Sequence, residues 1–130
     1  MDKLDDVRIL LVEDDHYTRM IMGQMFNVLN IRHDEAVNGE QAVEMSRQKV
    51  YDMILMDISM PVMDGFETTR KIRELPGYFE IPVIALTAVL SEKAREGVIS
   101  GLFTDLVIKP PDPDKLKKTV TEMARRKRVG

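Results

Sequence analysis

Four apolar runs in this 130-residue chain each end on polar side chains able to do chemistry. Asp57 follows Met53-Ile54-Leu55-Met56, and Glu13-Asp14-Asp15 follow Ile9-Leu10-Leu11-Val12. Thr87 follows Val83-Ile84-Ala85-Leu86, and Lys109 follows Leu106-Val107-Ile108. Runs that are apolar throughout read as strands buried on both faces. In open α/β sheets ligands bind beyond the carboxyl ends of the strands. If these runs are parallel neighbours, carboxylates, a hydroxyl and an ammonium converge on one edge. Glu13, Asp14 and Asp57 then form a cluster of hard oxygen donors suited to Mg2+, with Mn2+ as an alternative. Asp15 either adds charge at the rim or caps the helix that follows. Lys109 would clamp a phosphoryl group by charge, and Thr87 would donate its hydroxyl to the same oxygens. Taken alone, Thr87 reads equally as a strand-end residue or a helix cap. A carboxylate nucleophile, a divalent cation and a Lys/Thr anion clamp fit phosphoryl transfer to Asp57, giving an acyl phosphate. No base is required, because a carboxylate is already ionised at neutral pH.

Positioning these side chains takes strands and helices in alternation, and short apolar runs do alternate with longer amphipathic stretches. Strand 1 reads as about Arg8–Val12, with helix 1 from about His16 to Leu29 and Met22, Met25, Phe26 and Leu29 on its inner face. A weak strand 2 falls near Arg32–Ala36. Helix 2 follows Asn38-Gly39, with Ala42, Val43 and Met45 inward. Strand 3 is Met53–Asp57, and helix 3 spans about Gly65–Glu74, ended by Pro76-Gly77. Strand 4 is Val83–Leu86. Helix 4 begins after Ser91 as N-cap and ends near Gly101. Strand 5 is Leu106–Ile108, and helix 5 starts with Asp112 as N-cap and Pro113 at the first helical position, carrying Leu116, Val120 and Met123 inward. Strict alternation of this kind predicts an α/β fold with a doubly wound five-stranded parallel sheet.

The remaining composition narrows the class. The length fits one domain over 1–130, with a core of about 7–125 and a basic tail at 126–130. Net charge is -3, without the basic excess of a nucleic-acid binder. The run Arg125-Arg126-Lys127-Arg128 reads as a solvated last helical turn whose cations complement the dipole. There are no cysteines, which excludes disulfides and thiolate metal sites. No apolar stretch approaches the ~20 residues of a membrane span, and the N-terminus is acidic rather than signal-like. The expectation is a cytoplasmic protein. Most of the ten methionines sit among apolar neighbours and read as core. His16 falls just past the acidic group, at the entrance to the site, and His33 at a partly exposed edge. Pro61 and Gly65 read as loop punctuation beside Asp57, and Tyr78 and Phe79 as loop packing. The Lys109–Pro110 step restricts the local backbone, with its isomer left open.

The segments Ile9–Asp15, Met56–Gly65, Ala85–Ala88 and Val107–Pro110 together resemble those of response-regulator receiver domains, and the likeness covers essentially the whole chain. The resemblance implies a flavodoxin-like, CheY-like fold with strand order 2-1-3-4-5. It implies that Asp57 is the phosphoacceptor, that Asp14 ligates the metal directly and that Glu13 does so through water. The backbone carbonyl of Ser59 would complete the protein ligands, and Thr87 and Lys109 would take the family's hydroxyl and lysine roles. The donor would be a phosphohistidine on a sensor histidine kinase or a histidine phosphotransfer domain. The wording of Met60–Glu67 is similar to that of hybrid-kinase receivers. One position departs from the pattern: receivers commonly carry Tyr or Phe three residues before the lysine, and here Leu106 stands there. Signalling is then expected through the helix 4–strand 5–helix 5 face with a smaller rearrangement. That face would also serve any weak dimer of an otherwise monomeric protein. No turnover of an external substrate is expected. Two other classes compete. A magnesium-dependent aspartyl phosphatase resembles Asp-x-Asp at the nucleophile, whereas this chain has Asp57-Ile58-Ser59. A flavodoxin-like cofactor binder would want a Gly-rich phosphate loop, and no Gly-x-x-x-x-Gly-Lys is present.

Overall fold

A computed structural model describes residues 6–129, with side chains through Arg125. Five strands alternate with five helices: β1 (Ile9–Val12), α1 (His16–Val28), β2 (His33–Ala36), α2 (Gly39–Gln48), β3 (Met53–Asp57), α3 (Gly65–Arg73), β4 (Val83–Thr87), α4 (Glu92–Ile99), β5 (Asp105–Ile108) and α5 (Pro113–Val129). The sheet is parallel throughout, in the order β2-β1-β3-β4-β5. This is the expected doubly wound fold, with boundaries shifted by a residue or so. β4 extends to Thr87, β5 begins at Asp105, and Leu29 caps α1 rather than continuing it.

The strands are short apolar runs because both faces of the sheet are covered. Every residue of β1, β3 and β4 is buried. Side chains alternate between two cores, as a period of two requires. Leu10, Val12, Ile54, Met56, Val83 and Ala85 meet Ala42, Phe66, Ile72 and Ala94 from α2, α3 and α4. Ile9, Leu11, Met53, Leu55, Ile84 and Leu86 meet Met22, Phe26, Leu116 and Val120 from α1 and α5. The edge strands β2 and β5 are only partly buried, which explains their weaker sequence signal.

Helix starts follow side-chain caps. Asp15, Asn38, Asp64 and Ser91 accept the backbone N–H groups of Thr18, Gln41, Glu67 and Ala94. Asp112 does the same for Lys115 at the start of α5. These bonds satisfy donors that a helix N-terminus leaves open.

Two loop expectations divide. Tyr78 is buried and its hydroxyl donates to Lys49 O while accepting from Tyr51 N, at 2.8 and 2.9 Å. Phe79 is 80% exposed and is not loop packing; the turn that inserts Tyr78 leaves its neighbour in solvent. Of the methionines, Met22, Met53, Met56, Met60 and Met123 are buried, whereas Met20 lies 46% exposed on α1. The helical backbone of α5 continues through Val129, so the basic run follows its last turns. The side chains of Arg126, Lys127 and Arg128, and all of Met1–Asp5, lie outside the described residues.

Candidate functional site

Register brings the polar strand ends together. Val12 pairs with Met56, Asp57 with Leu86, and Thr87 with Ile108, so Glu13, Asp57, Thr87 and Lys109 all stand at the carboxyl edge of the sheet. Backbone bonds extend this order past the strands: Glu13 N–H donates to Ala36 O, Ile58 N–H to Leu86 O, and Lys109 N–H to Thr87 O.

Carboxylate oxygens of Glu13, Asp14 and Asp57 lie within 4.8 Å of one another. Glu13 and Asp57 are buried, at 0% and 1% exposure, while Asp14 opens to solvent. Lys109 Nζ sits 3.0 Å from Glu13 Oε1 and 3.2 Å from Asp57 Oδ1. One ammonium therefore pairs with two buried carboxylates, and Asp14 adds a third carboxylate to their cluster. Asp57 Oδ1 also accepts the Ser59 N–H at 3.0 Å. Among the described residues, Asp57 Oδ2 is buried without a hydrogen-bond partner. A buried carboxylate oxygen without a donor is costly.

Burial pushes the Asp57 carboxyl above its usual range, and the neighbouring Glu13 carboxylate adds to that. Asp14 is also raised, by burial and then by Asp57. Burial pulls the Lys109 ammonium down, but Glu13 and Asp57 outweigh it and the net shift is upward. The cluster is short of positive charge. An all-oxygen donor set with an unpartnered buried carboxylate oxygen fits a hard divalent cation.

The loop after Asp57 is shaped by close backbone approach. Gly65 N–H donates to Ile58 O at 3.3 Å, and a Cβ on Gly65 would fall 2.5 Å from Asp57 O. Only glycine lets α3 start so near the acidic residue. Pro61 lies in the exposed part of this loop.

Other predicted residues take different places. Asp15 is the cap of α1: its Oδ2 accepts from both the N–H and the hydroxyl of Thr18, at 2.8 Å each. Those bonds hold its carboxyl below the ordinary range. Thr87 lies at the edge, but its hydroxyl donates to Val89 O at 2.7 Å and accepts the Val89 N–H at 3.3 Å. It is tied to its own loop rather than to the carboxylates. Ser59 contributes its N–H to the site in this structure. Leu106 is partly buried and packs against the α2–α3–α4 core. The Lys109–Pro110 peptide is cis. His16 is exposed, 3.4 Å from an Arg19 nitrogen, whereas His33 stacks on Phe26 at 4.6 Å and pairs with Glu35.

Sequence reasoning missed Arg19, whose guanidinium donates to Glu13 O at 2.8 Å and to Asp14 O at 3.4 Å. No residue type signalled these contacts, because both partners are backbone carbonyls. A cavity of about 890 Å³ opens at the opposite, amino edge of the sheet, lined by Arg8, Asn30, Arg32, His33, Lys49 and Tyr51 among others. None of the clustered acids lines it, so this cavity and the acidic cluster are separate.

The response regulator receiver domain model matches residues 9–121. This chain belongs to the response regulator receiver family. It is 34% identical to an uncharacterized 14.6 kDa protein of Leptolyngbya boryana, over 94% of this chain and 93% of that protein. It is 33% identical to the transcriptional regulatory protein ResD of Bacillus subtilis, over 97% of this chain but 51% of ResD. The chain thus spans about half of that regulator. The receiver domain of a sensor histidine kinase from Pseudomonas aeruginosa, solved with a magnesium ion in its active-site cleft, superposes with a TM-score of 0.84. It shares 33% identity, covering 92% of this chain and 98% of the other. The receiver of this chain is CheY-like in fold, and its acidic cluster occupies the carboxyl edge described above. Among the described residues no helix is long and apolar enough to cross a membrane.

Proposed function

We propose that this receiver accepts a phosphoryl group on Asp57 from a phosphohistidine of a sensor histidine kinase or histidine phosphotransfer domain, with Mg2+ held by Asp57, Asp14, Glu13 through water, and the Ser59 carbonyl. The observation that carries the reading is the buried, unpartnered Oδ2 of Asp57 inside a cluster of carboxylates. The bound cation would offset charge between the attacking carboxylate and the phosphoryl oxygens.

An Asp57 oxygen attacks phosphorus, the phosphorus–nitrogen bond breaks, and its electron pair leaves on the imidazole nitrogen. Lys109, already 3.2 Å from Asp57, supplies a cation for the phosphoryl oxygens. Thr87 can donate to those oxygens only by giving up Val89 O. Val89 and Leu90 lead directly into the Ser91 cap of α4, so that exchange loosens the start of the helix. Leu106 offers no aromatic ring to move inward, so the signal passes from the β4–α4 loop to the α4–β5–α5 face. The domain catalyses its own phosphorylation and dephosphorylation and turns over no external substrate.

The test is incubation with acetyl phosphate, with and without Mg2+, followed by intact mass measurement beside Asp57→Asn. A metal-dependent gain of one phosphoryl group, lost in the variant, is expected. An adduct that the variant retains, or no adduct at all, overturns the assignment. Continuous rapid phosphate release would favour a phosphatase instead. Beryllofluoride with Mg2+ should shift amide signals of α4, β5 and α5; an unchanged spectrum there sinks the output face.

A further inference from the structure

We propose that Arg19, braced by Glu35 and His33, is a positioning residue that fixes the Glu13 and Asp14 carboxylates for cation binding. The inference rests on the reading of the Asp57 cluster as a metal-dependent phosphoacceptor site. Arg19 lies on α1, and its side chain is 17% exposed. One guanidinium nitrogen holds two successive carbonyls, Glu13 O at 2.8 Å and Asp14 O at 3.4 Å. Rotation of either peptide would swing the attached carboxylate, so these two bonds restrain the direction of both. The other side of the Glu13 residue is also held, because its N–H donates to Ala36 O at 3.1 Å.

The guanidinium is itself fixed from behind. Arg19 Nε lies 3.8 Å from Glu35 Oε1, and Glu35 Oε2 lies 2.8 Å from His33 Nε2. His33 stacks on the buried ring of Phe26, which anchors this end of the chain of contacts in the core. The helix makes room for the brace. Gly23 is buried in the middle of α1, and a Cβ there would come 3.0 Å from Glu35 Oε2 and 3.6 Å from His33 Nε2. Glycine is unfavourable in a helix interior. Here its smallness is what lets Glu35 and His33 lie against α1 behind Arg19.

A planar guanidinium presents several donors in a fixed fork, which a lysine ammonium cannot reproduce. It also places a cation behind two acids that repel each other. Groups of this kind, outside the direct ligands, set metal affinity by orienting the residues that bind.

The experiment measures Mg2+ affinity by calorimetric titration, and the rate of Asp57 phosphorylation by acetyl phosphate at rising Mg2+. It compares the full chain with Arg19→Met, Arg19→Lys and Glu35→Gln. For Arg19→Met the Mg2+ dissociation constant should rise about 10–100-fold. The phosphorylation rate at saturating Mg2+ should stay near that of the parent, the pattern of lost binding rather than lost chemistry. Arg19→Lys and Glu35→Gln should fall between the two. A merely structural role would lower the melting temperature and leave the dissociation constant unmoved. A folded Arg19→Met with unchanged Mg2+ affinity overturns the proposal while leaving the phosphoacceptor reading intact. If Arg19→Met does not fold, unchanged affinity in both milder variants overturns it equally. A parent protein that binds no Mg2+ overturns both readings together.

Discussion

Replacing Asp57 by asparagine should stabilise the metal-free protein, although the residue is buried and hydrogen-bonded. The Asp57 carboxylate lies within 4.8 Å of those of Glu13 and Asp14. At an effective dielectric constant of about 20, the buried Glu13 carboxylate contributes at least about 3.5 kcal/mol of repulsion, and the solvent-exposed Asp14 adds about 1 kcal/mol after screening. Lys109, at 3.2 Å, returns about 5 kcal/mol on the same scale. The charge pairs therefore nearly cancel, and burial of the carboxylate, the largest cause of its raised pKa, leaves about 2 kcal/mol or more against the charge. Asparagine removes the charge and keeps the shape, weakening the Ser59 N–H bond by about 1 kcal/mol as it becomes a neutral one. The balance is a gain of about 1–2 kcal/mol, or roughly 4 °C or more in melting temperature for a domain of this size. The assay is thermal and urea denaturation of both proteins in EDTA and in Mg2+. With Mg2+ at about 100 times its dissociation constant the parent gains about 2.7 kcal/mol, so the order should invert. The pH dependence has a defined sign. Asp57 is raised above the ordinary 3.8, so the native state holds this proton more tightly than the unfolded chain does. The penalty is absent below the unfolded value, grows as pH rises through the native one, and is complete above it. The gap between the two proteins in EDTA should therefore close in acid. An asparagine variant less stable than its parent without metal would refute this charge balance. A gap that Mg2+ leaves unchanged would refute it too.

Two further perturbations follow from the same geometry. Gly65→Ala places a Cβ 2.5 Å from Asp57 O and 2.6 Å from Ile58 Cα, where only backbone can give way. It should cost about 2–3 kcal/mol in urea denaturation and slow phosphorylation of Asp57, whereas an unchanged midpoint would mean the loop is slack. Tyr51→Phe removes the 2.6 Å bond to Asp34 Oδ2, the chief cause of that carboxyl lying below its usual range. The loss should be about 1–2 kcal/mol at neutral pH. It should shrink in acid, because a depressed pKa contributes stability above the unfolded value and loses it as pH falls through the native one. A deficit of equal size at acid and neutral pH would show that Asp34 is not the partner that matters.

Strand ends were legible because a parallel strand covered on both faces is apolar throughout until its carboxyl end. The change from Met56 to Asp57, or from Val12 to Glu13, therefore marks the edge itself. The parallel register then required no further information to bring those ends together. Caps were equally legible, since Asp15, Ser91 and Asp112 are residue types whose short side chains reach back to the backbone. Arg19 was not, because its partners are carbonyls that every residue carries, and no complementary side chain in the sequence advertises the contact. The resting partner of Thr87 escaped for the same reason, being the backbone of Val89. Phe79 misled because Pro76-Gly77 and Ile81-Pro82 frame it together with Tyr78. Only the tyrosine has a hydroxyl to bridge Lys49 O and Tyr51 N inside the fold.

That resting partner limits what Thr87 can do as a switch. Moving to a phosphoryl group costs it the bonds to Val89, worth about 1 kcal/mol, and gains a charge-assisted bond of about 1.5–3 kcal/mol. The difference is at most about 2 kcal/mol. Shifting a 1:99 equilibrium to 99:1 takes about 5.5 kcal/mol, so Thr87 alone leaves the active form partly populated. In the proposed switch an aromatic ring at position 106 would add burial to the active side, but Leu106 packs against its core in this structure. If Asp57 is phosphorylated as proposed, the remaining differential would have to come from Lys109, which would trade a shared position between Glu13 and Asp57 for one facing about 1.5–2 added negative charges. A target docking on the proposed α4–β5–α5 output face would have to supply the rest. On that proposal the receiver would be a graded switch, in which binding of a target completes what phosphorylation begins.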